Sequence, residues 1–113
     1  MAAMIDVVRN ELMRAASERE LLTYQQVAVH VGLSMGNRHQ ASVLAKLLCD
    51  IARDEHEQGR PLLSAIVVAK QTRQPGRGFF TFARKLDKHF DDDTQYFHEE
   101  VEAVWAHWAP LDL

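Results

Sequence analysis

Near the middle of the chain, eight apolar or small residues run together: Leu62-Leu63-Ser64-Ala65-Ile66-Val67-Val68-Ala69. The run is too short for an independent helix and rich in β-branched side chains, so it reads as a strand. Its apolar residues fall on both faces, which predicts that both faces are covered. A strand of this kind cannot stand alone, because its backbone donors and acceptors need a partner. The rest of the chain is patterned mainly for helices, so partners are few. Leu21–Leu22 upstream and the residues around Gly76–Phe80 downstream are the two candidates. The expected fold class is therefore mainly α with a small β component.

The helical segments are read from their periodicity. In Met4–Arg19 the residues Met4, Val8, Leu12, Ala15 and Ala16, with Ile5 beside them, share one face. Asp6, Arg9, Asn10, Glu11 and Arg14 lie largely opposite, which makes the segment amphipathic. Thr23-Tyr24-Gln25-Gln26 then has the form of a capping box. The short helix it opens turns Val27, Ala28 and Val31 inward and closes at Gly32, a left-handed C-cap. A third helix starts after the SMGNRHQ turn, with Ser34 or Asn37 as N-cap. Its stripe is Val43, Leu44, Leu47, Leu48 and Ile51, its solvated residues are Asp50, Arg53, Asp54, Glu55 and Glu57, and it ends near Gln58-Gly59. Pro61 forbids continuation.

Past the central run, Pro75-Gly76 suits a type II turn with positive φ at the glycine. From Gly78 the period changes, and Phe79, Phe82, Ala83 and Leu86 mark a fourth helix. Asp91-Asp92-Asp93-Thr94 forms a loop and N-cap whose charge suits a helix N-terminus. A last helix, about Gln95 to Trp108, carries the stripe Phe97, Val101, Val104, Trp105 and Trp108 before Pro110 ends it.

At 113 residues the chain reads as one domain, 1–113. No apolar run is long enough to span a bilayer, and acids interrupt the N-terminal MAAMIDVVRNEL, so neither a signal peptide nor a membrane partner is expected. One cysteine, Cys49, makes no internal disulfide, which points to a cytoplasmic location. The net charge of −3 conceals a segregation. Residues 61–88 carry Lys70, Arg73, Arg77, Arg84, Lys85 and Lys88 against Asp87 alone, whereas residues 89–113 carry seven acids and no Lys or Arg. Either the two blocks compensate each other within the monomer, or they steer a partner.

The order helix, short strand, helix, helix, strand, glycine-containing loop, helix, helix is that of a winged helix-turn-helix with a C-terminal helical extension. Its core would be 21–80 and its extension 79–109. LTYQQVAVHVGL, followed by a third helix and PLLSAIVVAKQTRQPGRGF, resembles the DNA-binding domain of the alkylguanine-DNA alkyltransferases and their alkyltransferase-like relatives. Thr23, Tyr24, Val27 and Ala28 match the helix that precedes the recognition helix in that family. Pro61, Ile66, Val67, Val68, Gly76 and Gly78 match its strand and turn. The family's reactive Pro-Cys-His-Arg falls on Pro61-Leu62-Leu63-Ser64, so no thiol stands there. The non-catalytic relatives keep a bulky aromatic residue at the cysteine position, where this chain has Leu62. The resemblance implies a fold, and no substrate or catalytic residue is carried over.

A winged helix would present Asn37, Arg38, His39, Gln40 and Ser42 from the third helix to base edges or phosphates, and Lys70, Arg73 and Arg77 from the wing to the phosphate backbone. The acids further along the third helix, and the sequence pI near 6.0, oppose that reading. His98 and Glu102 stand at i, i+4 and His89 lies near Asp91–Asp93, but no third ligand closes a metal site. Cys49 lies within an apolar helix and Ser64 within an apolar strand, so both read as structural. No catalytic residue, cofactor or metal is expected. Trp105 and Trp108, with Ala106, Ala109, Leu111 and Leu113, leave the terminus apolar on more than one side, which suits a partner or homodimer contact. Two functions follow: a non-catalytic DNA-binding protein, or a small interaction module such as an inhibitor, immunity or adaptor protein.

Overall fold

A computed structural model of the chain describes residues 3–110. Its elements run α1 (Met4–Ser17), β1 (Leu22–Thr23), α2 (Tyr24–His30), α3 (Arg38–Glu57), a 3-10 turn (Leu63–Ile66), β2 (Val67–Val68), α4 (Arg77–Lys85) and α5 (Asp93–Trp108). The chain is mainly helical, and the predicted order of elements is the observed one.

The central run is only partly a strand. Leu63–Ile66 winds into a 3-10 turn, and only Val67 and Val68 pair, in parallel with β1 and in the register Leu22↔Val67, Thr23↔Val68. Of the two candidate partners it is the upstream segment that is used, and its two residues limit the ladder. Residues Leu62 to Val68 are all buried, so no exposed face imposes a period of two on the rest of the run. Its backbone groups are satisfied otherwise: Ala65 N–H donates to Leu62 O at 2.9 Å and Leu62 N–H to the Glu100 carboxylate at 3.3 Å.

This buried segment is the hub of the core. α1 contributes Val8, Leu12, Ala15 and Ala16; α3 contributes Leu44, Leu48 and Ile51; α5 contributes Phe97, Val101 and Val104. Met4, expected on the inner face of α1, is 39% exposed. The caps follow the sequence. Thr23 and Gln26 form both halves of the capping box, and Asn37 Oδ1 accepts from Gln40 N–H at 3.0 Å. Gly32 at φ 69° ends α2, and Leu33 N–H returns to Ala28 O at 2.9 Å. Asp92 caps α5 through Gln95 N–H at 3.0 Å.

Glu55, read as solvated, has no exposed surface. Its carboxylate accepts from Arg9 Nη1 at 2.6 Å and from Arg60 Nε and Nη2 at 2.7 and 3.0 Å. Burial alone would raise the Glu55 pKa. The hydrogen bonds and charges of Arg60 and Arg9 outweigh it and hold the carboxyl below the ordinary range. The helical period places Glu55 one turn beyond Ile51, on the inward side, and the two arginines make that position tolerable for an acid.

Residues 69–76 close on themselves. Ala69 N–H donates to Gln74 O and Arg73 N–H to Ala69 O, each at 2.9 Å. The left-handed residue is Arg73, at φ 57°. Gly76 has φ −65° and ψ 163°, an extended N-cap for α4, so the expected type II turn with positive φ at Gly76 does not form. Pro75 has no N–H to donate to a returning strand, and the chain enters α4 at once. Among the described residues the sheet has two parallel strands, and the loop has no hairpin partner.

Candidate nucleic-acid interface

α2, the 31–37 turn and α3 present the start of α3 at the surface. Arg38 and His39 are exposed there. Their neighbours are occupied locally: Asn37 caps the helix, Gln40 Oε1 accepts from Ser34 N–H at 2.7 Å, and Ser42 Oγ donates to Arg38 O at 3.1 Å. The first turn of α3 therefore offers one guanidinium and one imidazole, with the amides spent on shaping the turn.

The basic loop lies beside this turn. Gly76 N–H donates to the Tyr24 hydroxyl at 2.8 Å, which ties the loop to the first residue of α2. Burial pushes the Tyr24 phenol pKa up, only partly offset by that hydrogen bond. Tyr24 and Met35 wall a shallow groove with Lys70, Gln71 and Thr72, and the same two residues wall a cavity that also includes Ala41, Gly76 and Gly78. Lys70 borders the groove, Ala41 of the first turn of α3 lines the cavity, and Arg77 lies in sequence between the two glycines that line it. Arg73 points elsewhere. It borders a second depression with Glu11, Arg14, Glu20 and His30 on the far side of α2.

Ion pairing divides the cations sharply. Arg9, Arg14, Arg19, Lys46, Arg53, Arg60 and Arg84 all have carboxylate partners. Arg38, Lys70, Arg73, Arg77 and Lys85, all exposed, and the half-buried Lys88 form no ion pair among the described residues. The acids of α3 are largely engaged: Asp50 by Lys46 and Arg53, Asp54 by Arg9, Glu55 by Arg9 and Arg60. Among the described residues one ion pair joins the basic and acidic blocks of sequence, Arg84 to Asp93 at 2.6 Å, where the guanidinium also lies 4.1 Å from the Phe90 ring.

The two tryptophans are half-buried. Trp105 Nε1 donates to Glu20 O at 3.1 Å beneath the Arg19 guanidinium, and Trp108 packs against the core with Arg60 over its ring at 6.0 Å. Leu111 and Leu113 lie outside the described residues. Glu102 pairs with Arg19 at 3.0 Å, and its helix neighbour His98 is exposed. Among the described residues no group of three or more His, Cys, Asp or Glu side chains is placed to hold a metal, and no helix is long and apolar enough to cross a membrane.

The cavity has no motif of its own in the sequence. It lies between α3 and α4, measures about 260 Å³, and is lined by apolar side chains together with Tyr24, Cys49 and Ser64. Cys49 is half-buried there, and burial raises its thiol pKa. The available signal was small residues, Ala41, Ala45, Gly76 and Gly78, set among Phe79, Phe82 and Leu48. Comparison of the chain with protein-family models, curated proteins and solved structures gives no match.

Proposed function

We propose that the protein is a non-catalytic DNA-binding protein that uses the α2–turn–α3 unit and the 70–77 loop against a duplex backbone. The observation that carries this reading is that Arg38, Lys70 and Arg77 are exposed and form no ion pair among the described residues, on segments that approach each other at Tyr24 and Met35, while Asp50, Asp54 and Glu55 of α3 are paired within the chain. Phosphate contacts supply most sequence-independent affinity. Arg38 and His39 are the side chains free for base edges, and two such groups imply modest sequence preference. Arg73, on the other side of α2, is not assigned to the interface.

The reading is tested by fluorescence anisotropy with a mixed-sequence duplex at low salt. Arg38→Ala, Lys70→Ala and Arg77→Ala should each weaken binding by about 3–10-fold, the worth of one phosphate contact, while Arg73→Ala should change it little. Absence of duplex binding by the wild-type chain refutes it. The second reading, a small interaction module, draws on Val29, an α2 side chain that is 75% exposed. It predicts a protein partner retained after nuclease treatment and lost in Val29→Glu.

A further inference from the structure

We propose that the cavity between α3, α4 and Tyr24 is a binding site for a small neutral aromatic molecule of one or two rings that carries a hydrogen-bond acceptor. The volume is sufficient: about 260 Å³ is available, and an apolar cavity of roughly 150 Å³ already accepts benzene. The walls suit flat rings, with Phe79, Phe82 and Tyr24 around an aliphatic floor.

Two features of the lining bear on what this space can hold. Ser64 is 7% exposed, lines the cavity, and its hydroxyl makes no hydrogen bond to the described residues. The Ser64 oxygen is not sealed from solvent but opens onto the cavity, so its hydroxyl is free to donate to an acceptor bound there. The Tyr24 hydroxyl accepts from Gly76 N–H and retains its own proton to donate. The second feature is Gly78. It lies in the first turn of α4 without a positive φ, and a Cβ added there would meet nothing within 4 Å. Neither backbone geometry nor crowding requires glycine at this position, and glycine lowers helix stability relative to alanine. What its missing side chain preserves is open space beside the cavity.

The lining also selects charge. No ionisable acid or base is among the lining residues apart from Tyr24 and Cys49, whose pKa values are both raised by burial and which therefore stay neutral at pH 7. An anion or cation entering would lose hydration without gaining a counter-charge, which favours a neutral ring. This inference stands apart from duplex binding, since its test needs the protein alone.

Cys49 is the only cysteine and lines the cavity, so its modification reports occupancy. The rate of methyl methanethiosulfonate labelling would be followed by mass spectrometry during titration with quinoline, a neutral bicyclic acceptor, and with benzoate as its charged counterpart. Quinoline should slow labelling several-fold in a saturable manner at millimolar concentration, and benzoate should not. Ser64→Ala should raise the half-saturating quinoline concentration about fivefold, as expected for one lost hydrogen bond. Gly78→Leu, with its fold checked by circular dichroism, should slow labelling of the free protein and remove the quinoline effect. Unchanged labelling in quinoline overturns the proposal, as does equal protection by benzoate or undiminished protection in Ser64→Ala.

Discussion

Replacing Arg60 by methionine should destabilise the protein more than replacing the buried Glu55 by methionine. Arg60 makes two of the three hydrogen bonds to the Glu55 carboxylate, at 2.7 and 3.0 Å. In Arg60→Met one carboxylate oxygen keeps Arg9 and the other is left without its partner on a side chain with no exposure. Hydrogen bonds to a charged group contribute about 1.5–3 kcal/mol, and a stranded buried charge stands toward the top of that range. Arg60 is itself 32% exposed, which moderates the loss, so about 2–3 kcal/mol is expected. In Glu55→Met both arginines can rehydrate, and Arg9 retains Asp54 at 3.1 Å. An apolar side chain of similar volume fills the site, and the cost should stay below about 1.5 kcal/mol. Urea unfolding at pH 7, followed by tryptophan fluorescence, separates the two. With a slope of roughly 1.5 kcal/mol/M, the midpoint should fall by about 1.3–2 M for Arg60→Met and by less than about 1 M for Glu55→Met. A Glu55→Met midpoint as low as that of Arg60→Met would refute the reasoning.

The same carboxylate makes stability depend on acid. The Glu55 pKa is held below its unfolded value, so its contribution is complete above the unfolded pKa, near 4.3 for a model glutamate, and disappears as pH falls through the folded value. The wild type should therefore lose stability more steeply below about pH 4.5 than Glu55→Met in parallel urea titrations. At the alkaline end, burial and then the Glu100 carboxylate raise the Tyr96 pKa, so stability should be lost as pH rises above about 10, and Tyr96→Phe should flatten that loss. Thr23→Ala removes a capping box and should cost about 1 kcal/mol in the same urea assay. Tyr24→Phe removes the acceptor for Gly76 N–H and should accelerate hydrogen exchange at that amide, leaving the Val67 and Val68 amides unchanged.

Local chemistry made much of this fold legible. The Thr23–Gln26 box, Asn37, Gly32 and the α3 stripe are short-range signals, and each sits where its spacing predicts. The central run is only partly legible, because a segment buried on every side has no polar face to reveal its period. Whether Leu63–Ile66 extends or winds is decided by how much partner strand exists, which is a tertiary fact. Glu55 shows the same limit, since its burial depends on Arg9, forty-six residues away. For the candidate interface, the composition of the 70–77 loop is plain in sequence, but the split between Arg73 and its neighbours follows from the left-handed turn at Arg73 itself. The cavity was invisible because it is defined by missing volume, to which Ala41, Ala45 and Gly78 contribute from two separate helices.

The central claim, that Arg38, Lys70 and Arg77 form a phosphate-binding face, is tested most directly by the salt dependence of duplex binding. Three phosphate contacts predict a slope of log K against log salt near −2.7, so affinity should fall about 40-fold between 50 and 200 mM monovalent salt, with each alanine variant reducing the slope by about 0.9. Binding that is insensitive to salt, or a slope unchanged in Arg38→Ala, Lys70→Ala and Arg77→Ala, would contradict the account.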